Sequence, residues 1–202
     1  MLPRTRVRGD PGVSPRAEPT RAAIVSLVDQ LRDPAFRVSA RDWPGGLTDL
    51  HLPGLYAWWV DADGGADLST GLGLSVGEGL IYAGQAGAGG SSATLRSRIG
   101  SNHIRGNVYG STFRWTLSSI LERRIGLTAI GRRRMDSASE ALLTSWITEH
   151  LSISAVPLSD RLGLLANETE TLRLLDPPLN IQGMPQSQHR LRLSALRSSF
   201  GS

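Results

Sequence analysis

Two short runs dense in aromatic and branched apolar residues constrain this chain more than anything else in it: GLYAWWV over Gly54–Val60 and LIYAG over Leu80–Gly84. Such residues suit a pleated, half-buried surface better than a helix, so both runs read as strands. Each carries one tyrosine, Tyr56 and Tyr82. The stretch between them, Asp61–Glu78, is rich in glycine and lacks a sustained apolar pattern, which predicts a long hairpin loop. Ser152–Leu158 reads as a third strand.

Helical periodicity surrounds these strands. Thr20 is placed to cap RAAIVSLVDQLRD, whose Ile24, Leu27, Val28 and Leu31 share one face. Further helices are predicted over Ala93–Ser101 and over Ser111–Arg124, the latter with Phe113, Leu117, Ile120 and Leu121 facing inward. Ser137-Ala138-Ser139-Glu140 has the form of a capping box opening another helix. Ser159-Asp160 caps RLGLLANETETLRLL, which must stop at Pro177-Pro178.

A chain of 202 residues suits one domain with appendages. Residues 1–19, rich in Pro, Arg and Gly, read as a disordered basic tail. Residues 20–50 supply a helix and a lead-in, 51–183 the folded domain, and 184–202 a basic tail with room for a short helix. No run approaches the roughly 18 apolar residues that span a bilayer, and the N-terminus lacks the apolar segment of a secretory signal. Cysteine is absent, which removes disulfides, thiolate metal sites and cysteine nucleophiles. A soluble cytoplasmic protein with no membrane partner is the expectation.

All 22 basic residues are arginine. Lysine chemistry is thereby excluded, including the P-loop lysine: in the stretch from Gly84 to Ser91, which resembles such a loop, Gly90 stands where the lysine would be. The charge is also unevenly spread. From Ala88 to Arg134 there are nine arginines (Arg96, Arg98, Arg105, Arg114, Arg123, Arg124, Arg132, Arg133 and Arg134) against Glu122 alone. Such a block is either a solvated face or the electrostatic footprint of phosphate contact. Under the second reading Arg96, Arg105, Arg114, Arg132, Arg133 and Arg134 are the nucleic-acid-binding set.

Glu168 is the sharpest single signal. At about 100° per residue it falls on the face defined by Leu165, Leu172 and Leu175, whereas Glu170 points away. A carboxylate on an apolar stripe must be protonated, paired or metal-bound. Arg98 sits at the edge of the face formed by Leu95 and Ile99, where its fork can meet a phosphate or pair with an acid such as Glu168. Tyr56 and Tyr82, on adjacent strands, can bring their phenols to one sheet face, and His103 can assist proton transfer. His51, His150 and His189 have no metal-ligand spacing with one another.

Taken in order, Gly54-Leu55-Tyr56, Tyr82-Ala83-Gly84, Leu95–Arg98, Glu168 and Pro177-Pro178-Leu179-Asn180 resemble the GIY-YIG nuclease family. The resemblance covers roughly 52–183. Leu55 and Ala83 replace the signature isoleucines, Gln85 stands where relatives often have lysine, and His103 follows Arg98 by five positions where some relatives use four.

The resemblance implies an α/β (α+β) fold, a small three-stranded antiparallel sheet flanked by helices. It implies a DNA endonuclease acting by in-line attack of water on phosphorus. Tyr56 or Tyr82 would activate the water, Arg98 would stabilise phosphate charge, and His103 would help move the proton. Glu168 would hold one divalent cation, Mg2+ or Mn2+, and Asn180 would act structurally or orient the site by hydrogen bonds. Double-stranded DNA is the expected partner, and the helix before the core offers a route to a homodimer. The alternative is a noncatalytic nucleic-acid-binding module on the same scaffold.

Overall fold

The strand read from GLYAWWV is buried along its whole length in the computed structural model, which describes residues 20–89, 91–159 and 164–202. This strand, β2 (Gly54–Val60), lies between β3 (Gly79–Ala86) and β6 (Leu151–Pro157), antiparallel to both. A two-residue strand, β1 (Val38–Ser39), extends the sheet beyond β6, so the order is β1-β6-β2-β3 and the sheet has four strands rather than the three expected. The extra strand was illegible because two residues carry no periodicity. A separate hairpin, β4 (Ala129–Gly131) and β5 (Arg134–Met135), stands apart.

Helices cover both faces, which is why β2 reads as a continuous apolar run rather than an alternating one. On one face, Leu55, Ala57, Trp59 and Ala83 pack against α1 (Arg21–Arg32) and α6 (Leu164–Leu175) through Leu27, Val28, Leu31 and Leu175. Ser154 ties α1 down, donating from Oγ to the Leu31 carbonyl at 2.6 Å while accepting from Trp59 Nε1. Tyr56, Trp58, Val60 and Tyr82 belong to the larger core on the other face. That core is closed by α2 (Ala62–Leu72), α4 (Thr112–Leu121) and α5 (Ser137–His150). Full burial of side chains such as Trp58, Phe113 and Leu117 stabilises the fold by about 2 kcal/mol or more each before entropy is counted.

The stretch expected as a loop is instead mostly helix. Asp61 caps α2 by accepting from Gly64 N at 2.7 Å, and Gly73 ends it in the left-handed conformation at φ 72°. The glycines inside α2 are there for close approach: a Cβ on Gly71 would strike the Ile120 carbonyl of α4. Glycine that permits contact looks the same in sequence as glycine that permits a turn.

Other boundaries moved. The helix expected over Ala93–Ser101 is α3 (Arg96–Ile104), wound with hydrogen bonds from residue i to i+5, as in Arg105 N to Gly100 O at 3.1 Å. The capping box does not form: Asp136 caps α5 by accepting from Ser139 N, and Glu140 is used elsewhere. The stretch expected as a basic C-terminal tail forms α7 (Gln188–Ser199) over most of its length, packed on α4 and α2. The expected tail over 1–19, the Asp160 half of the cap before α6, and the side chain of Leu165 lie outside the described residues. Among the described residues, no helix is long and apolar enough to cross a membrane.

Candidate active site

β3 is an edge strand, and its free edge is where the sequence-predicted residues meet. Leu179 N donates to the Ile81 carbonyl, and the Asn180 side chain continues the ladder at Ala83, accepting from its N–H at 3.0 Å and donating to its C=O at 2.8 Å. A side-chain amide thus satisfies both backbone groups of an otherwise open edge position. The turn bearing Asn180 is held from behind by Arg190 of α7. Its guanidinium donates to the carbonyls of Asn180, Pro177 and Pro185 and pairs with Asp176 at 2.6 Å. Asn180 is therefore a buried structural clamp that fixes the position of β3.

Beside this edge lies a cleft of about 710 Å3, lined by Tyr82, Gln85, Arg98, Trp115, Glu168 and Arg197 among others. Tyr56 sits directly behind it, 1% exposed, in a small gap that it shares with Gly84 and Glu168. Tyr56 and Gly84 are register partners, and the phenol lies across the glycine: a Cβ at Gly84 would fall 2.7 Å from Tyr56 Oη. The glycine of the YAG string is what lets the Tyr56 phenol reach this position.

The Tyr56 phenol is hydrogen-bonded to His103 Nε2 at 2.8 Å, and His103 Nδ1 to Ser111 Oγ at 2.7 Å. His103 is fully buried among Tyr56, Trp58 and Phe113, with its ring edge-on to Trp58 and Phe113. The winding of α3 explains how it gets there. An i to i+5 hydrogen bond sets residue i+5 above residue i, as an ordinary α-helix sets i+4. The five-residue step from Arg98 to His103 thereby spans one turn. Ser111, the N-cap of α4, was not singled out from the sequence as a site residue; its capping position ahead of an apolar helix was the available signal.

Electrostatics separate the members. Burial, with help from Arg98 and Arg114, pushes His103 well below its ordinary value, so the ring is neutral. Burial pushes the Tyr56 phenol well up, while the nearby Arg98 guanidinium pulls it the other way. Tyr82 is likewise raised by burial against the pull of Arg98 and Arg197. Glu168, half-buried, is raised by desolvation and lowered by Arg98. Arg98 and Glu168 feel each other across the cleft yet form no ion pair within 4 Å, and Arg98 Nε is buried without a hydrogen-bond partner.

The other arginines of the basic block divide sharply. Arg114, expected on a nucleic-acid surface, is fully buried. Its guanidinium pairs with Glu140 at 2.7 Å and donates to the carbonyls of His103, Ile104 and Glu140 and to Thr144. Glu140 also accepts from Val108 N. Its role is to lock the end of α3 to α4 and α5, and the distant Glu140 could not be matched to it from local pattern. Arg124 pairs with Asp67 at 2.6 Å. Arg96, Arg105, Arg132 and Arg134 are exposed but do not line the cleft. Arg133 approaches it indirectly, its guanidinium carbon 4.7 Å from the centre of the Trp115 ring.

The donor set suits a hard divalent cation in a limited way. Among the described residues no group of three or more acidic or histidine side chains could cage a metal. A single half-buried carboxylate, Glu168, with no ion-pair partner among the described residues and open to a cleft, fits a cation that is held by one carboxylate and otherwise by water and substrate phosphate.

Comparison with curated proteins and with solved structures finds no match. A family model for the GIY-YIG catalytic domain matches residues 54–199, from the first residue of β2 to the last of α7. That stretch contains every residue of the cleft and of the Tyr56–His103–Ser111 chain, and on this match the chain belongs to the GIY-YIG family.

Proposed function

We propose that this protein is a divalent-metal-dependent endonuclease that hydrolyses DNA phosphodiester bonds, with the cleft beside β3 as its active site. The observation that carries the reading is the pair of cleft charges, Arg98 and Glu168, without ion-pair partners among the described residues and next to the hydrogen-bonded chain Tyr56–His103–Ser111. A phosphodiester supplies what each lacks. Its oxygens accept from the Arg98 fork, and Glu168 is the residue that would hold Mg2+ or Mn2+. When bound, the cation supplies Lewis-acid stabilisation of charge on the leaving oxygen.

The hydrogen-bond geometry supports different roles for the two tyrosines. Tyr56 has a proton acceptor in His103, whereas Tyr82 faces the cleft and has none of that kind. Because burial raises the Tyr56 phenol, a standing phenolate is not the base. Instead, as water oxygen bonds to phosphorus, its proton passes to Tyr56 Oη while the Tyr56 proton passes to His103 Nε2. The bond from phosphorus to the leaving oxygen breaks, and that oxygen takes a proton from solvent. This requires the His103 tautomer with its proton on Nδ1, donated to Ser111 Oγ. Burial, the largest cause of the depression of His103, remains when substrate binds, but a phosphate on Arg98 would offset the contribution of that guanidinium and ease proton uptake by the imidazole. Tyr82 hydrogen-bonds the phosphate from the cleft wall.

The test is Mg2+-dependent cleavage of single- and double-stranded DNA, with RNA in parallel. Glu168→Ala and Arg98→Ala should both abolish cleavage while folding normally. Persistent cleavage by rigorously purified Glu168→Ala would remove the metal-holding role. Salt-sensitive DNA binding without hydrolysis in the unaltered protein would favour the noncatalytic module instead.

A further inference from the structure

The cleft carries a second cationic feature that the reaction above does not use. Arg197 of α7 lines the cleft, with its guanidinium carbon 4.3 Å from the centre of the Trp115 ring. Arg133, from the β4–β5 turn, lies over the same indole and donates to the Tyr109 carbonyl at 2.9 Å. Among the described residues neither guanidinium has a carboxylate within 4 Å. The Nε atoms of both are buried without a hydrogen-bond partner, as are Trp115 Nε1 and Thr116 Oγ1 beside them.

Every one of these unpartnered groups can donate a hydrogen bond. Each such group buried without an acceptor costs on the order of 1–3 kcal/mol. The two like charges sharing one ring also repel: burial depresses Arg197, and Arg133 adds to that. Stacking on the indole offsets part of this cost, but it supplies no acceptor. An anion would supply both acceptors and counter-charge.

Resting on the nuclease reading, we propose that Arg197, Arg133 and Thr116 bind a second backbone phosphate of the same nucleic acid, flanking the one that Arg98 engages. Trp115 holds the two guanidiniums in place. The stretch that reads in sequence as a basic tail with room for a short helix thus completes the substrate groove, and two phosphates held at separate points of the cleft would fix which bond lies between Arg98 and Glu168. An isolated arginine on a tail could not do that.

The experiment measures binding of a short labelled DNA duplex, without divalent cation, as a function of salt for the unaltered protein, Arg197→Ala, Arg197→Lys and Arg133→Ala. Loss of one phosphate contact should make the slope of log K against log salt shallower by about 0.9. Affinity at low salt should fall about 10- to 100-fold, as expected for a charged hydrogen bond. Arg197→Lys should retain the slope while binding more weakly. Arg133 is partly exposed, so its alanine variant gives the answer even if Arg197→Ala is poorly folded. Unchanged slopes in both alanine variants, with unfolding midpoints like that of the parent, would overturn the proposal and assign the stacked arginines to holding α7 in place. Because hydrolysis plays no part in this readout, a shallower slope in a protein that cleaves no DNA would retain the subsite and reject the nuclease reading. Cleavage with unchanged slopes would do the reverse.

Discussion

Arg98 and Arg114 come from the same basic block and sit on neighbouring helices, both turned toward the core, yet the fold treats them in opposite ways. Every nitrogen of the Arg114 guanidinium donates to a partner in the protein, and Glu140 neutralises it at 2.7 Å. Arg98 is left with a buried, unpartnered Nε and faces Glu168 without closing an ion pair. Burying a charge costs several kcal/mol unless it is paired and hydrogen-bonded. Arg114 has that compensation within the chain and so holds α3, α4 and α5 together. Arg98 has the Tyr56 phenol beside it but, among the described residues, no carboxylate within 4 Å, so its compensation is incomplete and a phosphate from outside would extend it. Residue type and local charge therefore do not separate a structural arginine from a functional one; the tally of partners does.

Substituting Arg114 should break the structural side of this comparison most severely. Arg114→Ala leaves Glu140 half-buried and unpaired and frees the carbonyls of His103 and Ile104. A loss of about 3–5 kcal/mol of stability is expected in urea unfolding. A loss below about 1 kcal/mol would mean that water replaces the network freely.

The proton chain sharpens the functional side. Tyr56→Phe removes the hydroxyl that is hydrogen-bonded to His103 and that the proposed mechanism uses to pass on the proton of water, so it should slow cleavage by about 100-fold or more with the fold intact. Tyr82→Phe, which removes only a wall contact, should cost about tenfold. Reversal of that ranking in single-turnover cleavage would transfer the proton-accepting role to Tyr82. Asn180→Ala should act as a structural change, destabilising by about 1–3 kcal/mol because two buried backbone groups of Ala83 lose their partners.

Glu168→Gln should give the smallest effect on stability, and one of opposite sign. Burial raises the folded-state pKa of Glu168 above its unfolded value, so the fold binds that proton more tightly than the unfolded chain does. The resulting stabilisation is present below the ordinary carboxyl pKa of about 4 and is lost as pH rises through the raised value. At neutral pH the glutamine variant should therefore melt slightly higher than the parent, and the difference should vanish in acid. A protein made more stable and inactive by one substitution is what a site held under electrostatic strain predicts.

Sequence reasoning reached the cleft where helical geometry is strict. Glu168 stands out by its place on an apolar stripe, and Arg98 by the edge of another; the structure brings both to one cleft with Tyr82, and Tyr56 just behind. It failed where the deciding contact was distant or where the backbone left its ordinary form. Arg114 looked like surface because Glu140 lies far along the chain. The glycines of α2 looked like loop because close packing on Ile120 is a tertiary fact. The i to i+5 winding of α3, which reconciles the five-residue step to His103, has no local signature. Arg197 falls in the stretch that reads as a basic tail with room for a short helix; the helix forms, but nothing in its sequence neighbours shows that it docks against Trp115.

The most direct test of the partner argument is the Mg2+-dependent cleavage rate of DNA by Arg98→Ala against the parent, at matched unfolding midpoints. The charge left unpaired by the fold should prove indispensable to the reaction and dispensable to stability, with cleavage reduced by about 1000-fold and the midpoint unchanged or raised. Cleavage at the parental rate, or a collapse of stability like that expected for Arg114→Ala, would contradict it.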